Sequence, residues 1–325
     1  MKKVLIAILL LGLLPHASAD YIHWVDFRLS APVLRSALEL DMASQGGEQP
    51  LDWIDILALA AAWRGGTGVT VADTQRAAQA LRGDTPPERL PGMAGHYFSY
   101  YREAYGAALG GLVGHFAIRR TDPQTGEAEW IPAYGLKAFS PIAAGYFWSH
   151  YPDFGAQRSY GYARPHLGND ILGALGTPIC AVEGGTVEAL GWNRYGGWRI
   201  GIRSDRKRYY YYAHLRKDTP YAEGLAVGQR VQAGDVIGFM GRTGYSAQEN
   251  VNNIETVHLH FGLQLIFDES QKECDSEIWI DVYPIIELLA SHCSSVARDP
   301  QTGRWERLYP YCDLDAEPLR SAAAR

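Results

Sequence analysis

The stretch Glu255–Leu265, ETVHLHFGLQL, has the regular alternation of a half-buried β-strand. Because successive side chains of a strand point to opposite faces, His258 and His260 project from one face. Leu259 and Phe261 then point to the other face. Two ordinary exposed histidines would fit this pattern, but titratable groups held side by side in an apolar strand cost free energy unless something organises them. The stretch therefore predicts a strand and a candidate metal site.

The surroundings of this strand, residues 140–268, consist of short β-rich runs separated by glycine turns. The runs include TPICAVEGGTVEALGW (177–192), GGWRIGIRS (196–204) and VGQRVQAGDVIGFMG (227–241). Strands at such short spacing, joined by Glu-Gly-Gly and Ala-Gly-Asp turns, indicate a mainly antiparallel sheet or sandwich.

A second candidate pair lies in ARPHLGNDILGALGTP (163–178), where His166 and Asp170 are four residues apart. On a straight strand they would be about 13 Å apart, too far to share one ion. Pro165 and Gly168 argue against a helix, so a turn at Gly168 and the following residue is the remaining way to bring them together. Taken alone, the pattern H-x-x-x-D often occurs by chance and is a weak indication of a metal site.

A third candidate, His214, follows the tyrosines of YYYYAHLRK (209–217). Its period-2 spacing predicts that it shares a face with Tyr210 and Tyr212 if the strand continues that far. Four of the five histidines between residues 140 and 268 belong to these three motifs. The remaining histidines are predicted to be surface or structurally satisfied residues: His16, His23, His96, His115, His150 and His292.

In their order and spacing, the motifs H-x-x-x-D, Y-x-H-L and H-L-H-F, with the glycine turns between them, resemble the LytM/lysostaphin type of zinc endopeptidase. The resemblance covers about residues 160 to 265 and implies the β fold of that family, the duplicated hybrid motif. It also implies hydrolysis of peptide bonds in peptidoglycan, in stem peptides or in cross-bridges.

The resemblance also assigns roles. His166, Asp170 and His260 would bind one Zn²⁺ per chain, and His258 and His214 would flank the zinc-bound water. Strand geometry alone leaves open which histidine of H-x-H is the ligand. In this mechanism zinc lowers the pKa of its water to about 7 and polarises the carbonyl. His258 would take or orient the water's proton, and His214 would hold the oxyanion.

Another class of metalloprotease and two other functions are the alternatives to this mechanism. The sequence has no H-E-x-x-H motif, so the glutamate-base mechanism of that metalloprotease class is excluded. Two alternatives stay open: a non-catalytic protein of the same fold that binds peptidoglycan or activates another hydrolase, and an exported metalloprotease acting on proteins. Neither the cleaved bond nor the oligomeric state follows from the sequence.

The first nineteen residues, MKKVLIAILLLGLLPHASA, are predicted to be a secretory signal peptide, because two lysines precede an apolar run and an Ala-Ser-Ala site. The eleven-residue apolar run is shorter than the roughly 20 residues of a spanning helix. We therefore expect a secreted protein, in a periplasm or at an external cell wall, with no membrane span after cleavage. The net charge of −6 becomes −8 without Lys2 and Lys3, which argues against nucleic acid as a partner.

The overall prediction is an α+β protein in three parts. Residues 20–139 form a small helical domain that ends in a hairpin turning at 122–126, residues 140–270 the peptidase domain, and residues 271–325 a C-terminal extension. The helical domain could direct the enzyme to the wall, partly cover the zinc groove, or simply pack on the sheet. A tyrosine stripe on its last helix (Tyr97, Tyr101 and Tyr105) is predicted to be core rather than a sugar-binding surface.

The C-terminal extension is predicted to contain a helix at Trp279–Leu289, a second hairpin at 299–303 and one disulfide. The disulfide would join two of Cys274, Cys293 and Cys312, with the pair left open. Cys180, in an apolar strand, is predicted to be a buried free thiol.

Overall fold

The computed structural model describes residues 25–159, 163–272 and 276–316. The predicted signal peptide therefore lies outside the described residues. Four helices precede the strands and a fifth follows most of them: α1 (Ala31–Ser44), α2 (Trp53–Arg64), α3 (Val71–Leu81), α4 (Met93–Leu109) and α5 (Tyr283–Leu289). None of the described helices combines the length and the apolar character needed to cross a bilayer.

The strands begin directly after α4 and continue to the end of the described chain. They are β1 (Val113–Thr121), β2 (Ala128–Leu136), β3 (Trp148–His150), β4 (Gln157–Ser159), β5 (Ala163–Pro165), β6 (Asn169–Gly173), β7 (Pro178–Cys180), β8 (Gly185–Asn193), β9 (Gly197–Arg203), β10 (Arg208–Ala213), β11 (Arg230–Val231), β12 (Val236–Phe239), β13 (His258–Leu265), β14 (Ile278–Trp279), β15 (Val296–Arg298), β16 (Trp305–Arg307) and β17 (Tyr311–Asp313).

The largest sheet has eight strands in the order β11-β8-β9-β10-β13-β6-β3, with β14 paired to β13. All of its pairings are antiparallel. The α+β class and the mainly antiparallel sheet predicted from the sequence are therefore confirmed. Leu259 and Phe261 of β13 are almost fully buried on the core face, which leaves the two histidines of this strand on the opposite face.

The helices begin and end at the residues that local rules favour. Asp52 accepts a hydrogen bond from the backbone N–H of Ile54 and starts α2, which ends at Gly65 in the left-handed conformation. Thr70 and Asp73 form a capping box at the start of α3. The helical pattern predicted for this part of the chain is thus confirmed.

The helical region packs against the large sheet. Arg208, the first residue of β10, is fully buried and donates hydrogen bonds to the carbonyls of Ala107 and Gly110 at the end of α4. Tyr101 and Tyr105 of α4 are buried, whereas Tyr97 is exposed. The tyrosine stripe is therefore largely core, as predicted.

Both predicted hairpins are present. β1 pairs with β2 around the turn at 122–126, and β15 pairs with β16 around the turn at 299–303. The last described strand, β17, pairs with β1. The C-terminal part of the chain therefore returns to the hairpin that follows the helical region.

The helix predicted at Trp279–Leu289 is wrong at its start. Trp279 lies in β14 and pairs with Gln264 of β13, and the helix begins only at Tyr283. Pro284 favours the first turn of a helix and disfavours its interior, so it marks this later start.

The cysteines are only partly covered by the structure. Cys180 is a buried free thiol, as predicted, and Cys293 is also a free thiol. Cys274 lies outside the described residues, so a disulfide involving it stays a prediction.

Candidate metal centre

Two neighbouring strands and one bend bring the candidate ligands together. His260 of β13 lies directly opposite Asp170 of β6 in the antiparallel register. The chain bends at Gly168 and returns His166 to the same place. A Cβ at Gly168 would lie only 2.7 Å from the His260 ring and 2.7 Å from the Phe261 carbonyl oxygen. This close approach requires glycine, and it explains how residues four apart can converge.

The three side chains present donor atoms at the spacing of a metal site. His166 Nε2 lies 2.8 Å from His260 Nδ1 and 3.0 Å from Asp170 Oδ1. The third edge, between His260 Nδ1 and Asp170 Oδ1, is 3.2 Å. Tetrahedral zinc with bonds of about 2.0 to 2.1 Å separates neighbouring ligand atoms by roughly 3.3 Å. The two nitrogens and one oxygen therefore fit a zinc ion, and their position leaves one side open to the cleft.

Burial and hydrogen bonding together shape the charge of this cluster. Burial alone would lower the pKa of His166, but its hydrogen bonds to Asp153 and Asp170 raise this pKa to about 9. Burial would raise the pKa of Asp170, but hydrogen bonds from His166 and His260 hold it well below its usual range. Burial also lowers the pKa of His260. The carboxylate of Asp170 is thus charged at any ordinary pH and suits a divalent cation.

His214 and His258 stand beside the three candidate ligands. The His214 ring centroid lies 4.7 Å from that of His258 and 5.9 Å from that of His260. His258 Nε2 is 3.7 Å from Asp170 Oδ1. Each ring points its Nδ1 at a backbone carbonyl, His214 at Thr243 (2.9 Å) and His258 at Thr256 (2.9 Å). Both Nε2 atoms therefore remain for chemistry.

His214 is predicted to share a face with Tyr210 and Tyr212 only if the strand continues that far, and it does not. Strand β10 ends at Ala213, and His214 has a φ of 61°, in the left-handed region that is rare for a residue other than glycine. Tyr210 and Tyr212 are buried in the core, whereas Tyr211 shares the cleft with His214. A side chain held in this uncommon backbone conformation is typical of functional sites. Burial, with the neighbouring histidines, holds the pKa of His214 well below its usual range.

A hydrogen-bonded shell behind the cluster orients His166. Its Nδ1 lies 3.2 Å from Asp153 Oδ2, and the other oxygen of Asp153 accepts from Asn169 Nδ2 at 2.8 Å. Asn169 in turn contacts His150 Nδ1 at 2.6 Å, and His150 Nε2 contacts Glu287 at 2.7 Å. His150 is therefore a satisfied histidine, as predicted, although it belongs to this shell. Such outer partners orient ligands and raise their basicity.

Sequence reasoning missed two arginines of the site, Arg158 and Arg164. They lie directly opposite each other on the antiparallel pair β4–β5. Arg158 Nη2 donates to Asp153 Oδ2 at 2.8 Å and to Asp170 Oδ2 at 3.0 Å. The signal in the sequence is RSYGYAR (158–164), which places like residues symmetrically around a glycine.

The cleft in front of the cluster has a volume of about 140 Å³ and is lined by residues between Arg158 and His260. The helical region, as far as the structure describes it, contributes no residue to this lining. The hypothesis that it covers the groove therefore has no contact to rest on in the described part of the chain.

The segment of the chain that contains this cluster is similar to known proteins. Residues 164–273 match peptidase family M23. The L-Ala–D-Glu endopeptidase of Bacillus subtilis is 41% identical over 123 residues, which are 38% of this chain and 36% of that protein. Lysostaphin of Staphylococcus simulans is 38% identical over 98 residues, 30% of this chain and 17% of that protein. The chain thus spans about a third or less of the length of these relatives.

Among solved structures, this chain is similar to the catalytic domain of the antimicrobial peptidase lysostaphin from Staphylococcus simulans. It is 29% identical, with a TM-score of 0.33, and the similarity covers 44% of this chain and 92% of that one.

Proposed function

Because residues 164–273 match peptidase family M23, we propose that the protein is a zinc-dependent endopeptidase that hydrolyses peptide bonds in peptidoglycan. The observation that carries the proposal is the convergence of His166, Asp170 and His260 within this domain, with all three ligand atoms inside 4.8 Å of one another. Two more histidines face the same point. The proposal includes export to a periplasm or to the cell wall.

His166, Asp170 and His260 would hold the metal, and the mixed nitrogen and oxygen donors favour zinc. A bound zinc would polarise the scissile carbonyl and make a water molecule more acidic. Asp153 and Arg158 keep two of these ligands in place, since each is hydrogen-bonded to a ligand side chain.

The contacts of His258 and His214 determine how they handle protons. In the neutral form, each ring donates from Nδ1 to its backbone carbonyl and keeps Nε2 unprotonated. His258 Nε2, which lies 3.7 Å from Asp170 Oδ1, then takes the proton of the attacking water as the new C–O bond forms, and returns a proton to the amine nitrogen as the C–N bond breaks. His214 can hold the oxyanion only after its own Nε2 has gained a proton, which its lowered pKa disfavours until the negative charge of the oxyanion develops beside it.

The relatives support a substrate in peptidoglycan. The similarity to an L-Ala–D-Glu endopeptidase is the strongest in sequence identity of those described above, and that name specifies a bond between an alanine and an acidic residue. Lysostaphin, by contrast, is similar over a shorter segment. We take a peptide of the cell wall as the substrate.

The direct test is zinc content by elemental analysis of the purified protein, together with digestion of purified peptidoglycan and identification of the products by mass. We expect about one zinc per chain and one defined class of cleaved bond. Chelator treatment should abolish cleavage, and added zinc should restore it. A zinc-loaded protein that releases peptides from casein but none from peptidoglycan would contradict the substrate, and a protein that binds the wall without cutting it would contradict the enzyme.

A further inference from the structure

The pair β4–β5 places two positive charges against the candidate metal centre. Arg158 and Arg164 are direct cross-strand partners, so their side chains leave the hairpin on the same face. Like charges in this position are destabilising unless the surroundings compensate for them. Arg158 is compensated by its two hydrogen bonds to Asp153 and Asp170.

Arg164 is held by aromatic rings. Its guanidinium carbon lies 4.5 Å from the ring centroid of Tyr195 and 5.4 Å from that of Tyr245. A cation over an aromatic face is attracted to the ring and keeps its charge. A guanidinium restrained in this way loses less entropy when it binds a carboxylate through two parallel hydrogen bonds.

The charge of the cleft favours an anionic ligand. Its described lining contains both arginines and no aspartate or glutamate. Behind the lining, the carboxylates of Asp153 and Asp170 face Arg158 and the metal position. With a divalent ion bound, the cations of the site exceed its anions. In a partly dehydrated cleft such an excess attracts a negative group of the substrate.

The distance from Arg164 to the chemistry is short. Tyr245 lies between Arg164 and His214, 5.4 Å from the guanidinium and 5.8 Å from the His214 ring centroid. An extended peptide advances about 3.3 to 3.6 Å per residue. A group bound by Arg164 therefore belongs to a residue only a few positions from the scissile bond.

We propose that Arg164, whose guanidinium lies over the rings of Tyr195 and Tyr245, binds a free carboxylate of the substrate close to the scissile bond. The enzyme then prefers acidic stem peptides to uncharged glycine bridges. This inference rests on the proposed peptidase function and specifies its substrate class.

The test uses the zinc-loaded full chain and three probes: the stem peptide L-Ala-γ-D-Glu-L-Lys-D-Ala with its free carboxylates, the same peptide with the D-Glu carboxylate amidated, and pentaglycine. We expect the wild type to cleave the acid at least about 10-fold better in kcat/KM than the amide or pentaglycine. Arg164→Gln should lower kcat/KM for the acid about 10- to 100-fold, mainly through KM, and change the amide little.

Two matched variants separate charge from structure. Arg164→Lys keeps the charge without the two-pronged geometry and should restore part of the preference. Arg194→Gln removes an arginine whose guanidinium carbon lies 5.8 Å from the same Tyr195 ring, outside the cleft lining, and should leave both peptides unaffected. Equal losses on acid and amide in Arg164→Gln would overturn the proposal, as would a wild type that cleaves acid and amide equally or prefers pentaglycine.

A binding measurement keeps this inference distinct from the proposed function. Calorimetry with the zinc-loaded full chain carrying His258→Ala, with and without Arg164→Gln, compares the affinity of the acid and amide peptides without hydrolysis. If the wild type cleaves nothing but binds the acid through Arg164, the peptidase proposal fails and the carboxylate site stands. If the proteins with Arg164 and with Arg164→Gln bind each peptide with the same affinity, Arg164 does not bind the carboxylate, whatever the activity.

Discussion

At the scale of the residue, the five side chains of the centre divide into two kinds by their contacts. His166, Asp170 and His260 touch one another through the atoms that would bind a metal. His214 and His258 instead anchor Nδ1 on a backbone carbonyl and keep Nε2 for other contacts. The first kind should control metal content, and the second kind the proton transfers.

The first prediction separates these roles by substitution. His260→Ala removes a ligand and should lose both bound zinc and hydrolysis. His214→Ala should keep close to one zinc per chain and lower kcat by about 10²- to 10⁴-fold, because it removes a group that handles protons in the transition state. Elemental analysis and peptide hydrolysis measure both quantities. Normal turnover in His214→Ala would show that the role proposed for this residue is wrong.

The second prediction concerns the residue behind His166. Asp153→Asn keeps the size of the side chain but removes the charge that faces His166 Nδ1 and Arg158. We expect zinc affinity to fall by about 10- to 100-fold, measured by competition with a chelator. Asp205→Asn, at an exposed ion pair with Arg230, is the matched control and should bind zinc as the wild type does. Equal affinities in the two variants would contradict the orienting role.

At the scale of the element, the site depends on the register of β13 with β6 and on the bend that precedes β6. The register puts His260 opposite Asp170, and the bend at Gly168 adds His166. Two strands and one turn therefore supply all three candidate ligands. A change in the path of the bend should therefore weaken metal binding even though all three ligand residues are still present.

The third prediction tests that bend. Gly168→Ala places a methyl group 2.7 Å from the His260 ring and from the Phe261 carbonyl, so a ligand or the backbone must move. We expect weaker zinc binding and lower activity with the ligands all present. Gly106→Ala in α4, where a Cβ meets nothing within 4 Å, should leave zinc binding unchanged. Zinc titration of both variants decides, and wild-type affinity in Gly168→Ala would contradict the prediction.

The elements also show where sequence reasoning succeeds. The alternation of β13 is a local feature, and it predicted its strand correctly. The start of α5 failed because Trp279 pairs with Gln264 of a distant strand, and a long-range pairing overrides a short apolar pattern. The face of His214 did not follow from the strand alternation, because the strand ends at Ala213 and His214 has a left-handed backbone conformation. Asp153 and Arg158 were missed since only the tertiary fold brings them to the ligands.

At the scale of the whole molecule, one buried arginine of the sheet joins the helical region to the β part of the chain. Arg208 is fully buried and donates to both carboxylate oxygens of Glu183, at 2.9 and 2.6 Å. The same guanidinium donates to two carbonyls at the end of α4, where the helix dipole favours a cation. A specific contact therefore supports the interpretation that the helical region packs on the sheet. Among the described residues, no contact supports the interpretation that it covers the cleft.

The last prediction follows from that contact. Arg208→Met keeps a long apolar stem but leaves the Glu183 carboxylate without its cation and the α4 carbonyls without their donor, so we expect a loss of about 3 to 5 kcal/mol in the free energy of unfolding. Arg230→Met breaks an exposed pair with Asp205 and should cost less than about 1 kcal/mol. Urea unfolding followed by tryptophan fluorescence measures the free energy of unfolding of both variants.

If helix and sheet depend on each other through Arg208, the large loss should appear in the transitions of both regions. A loss confined to the helical region, with the sheet unfolding as in the wild type, would mean that the peptidase part is stable by itself and that the helices are an independent unit.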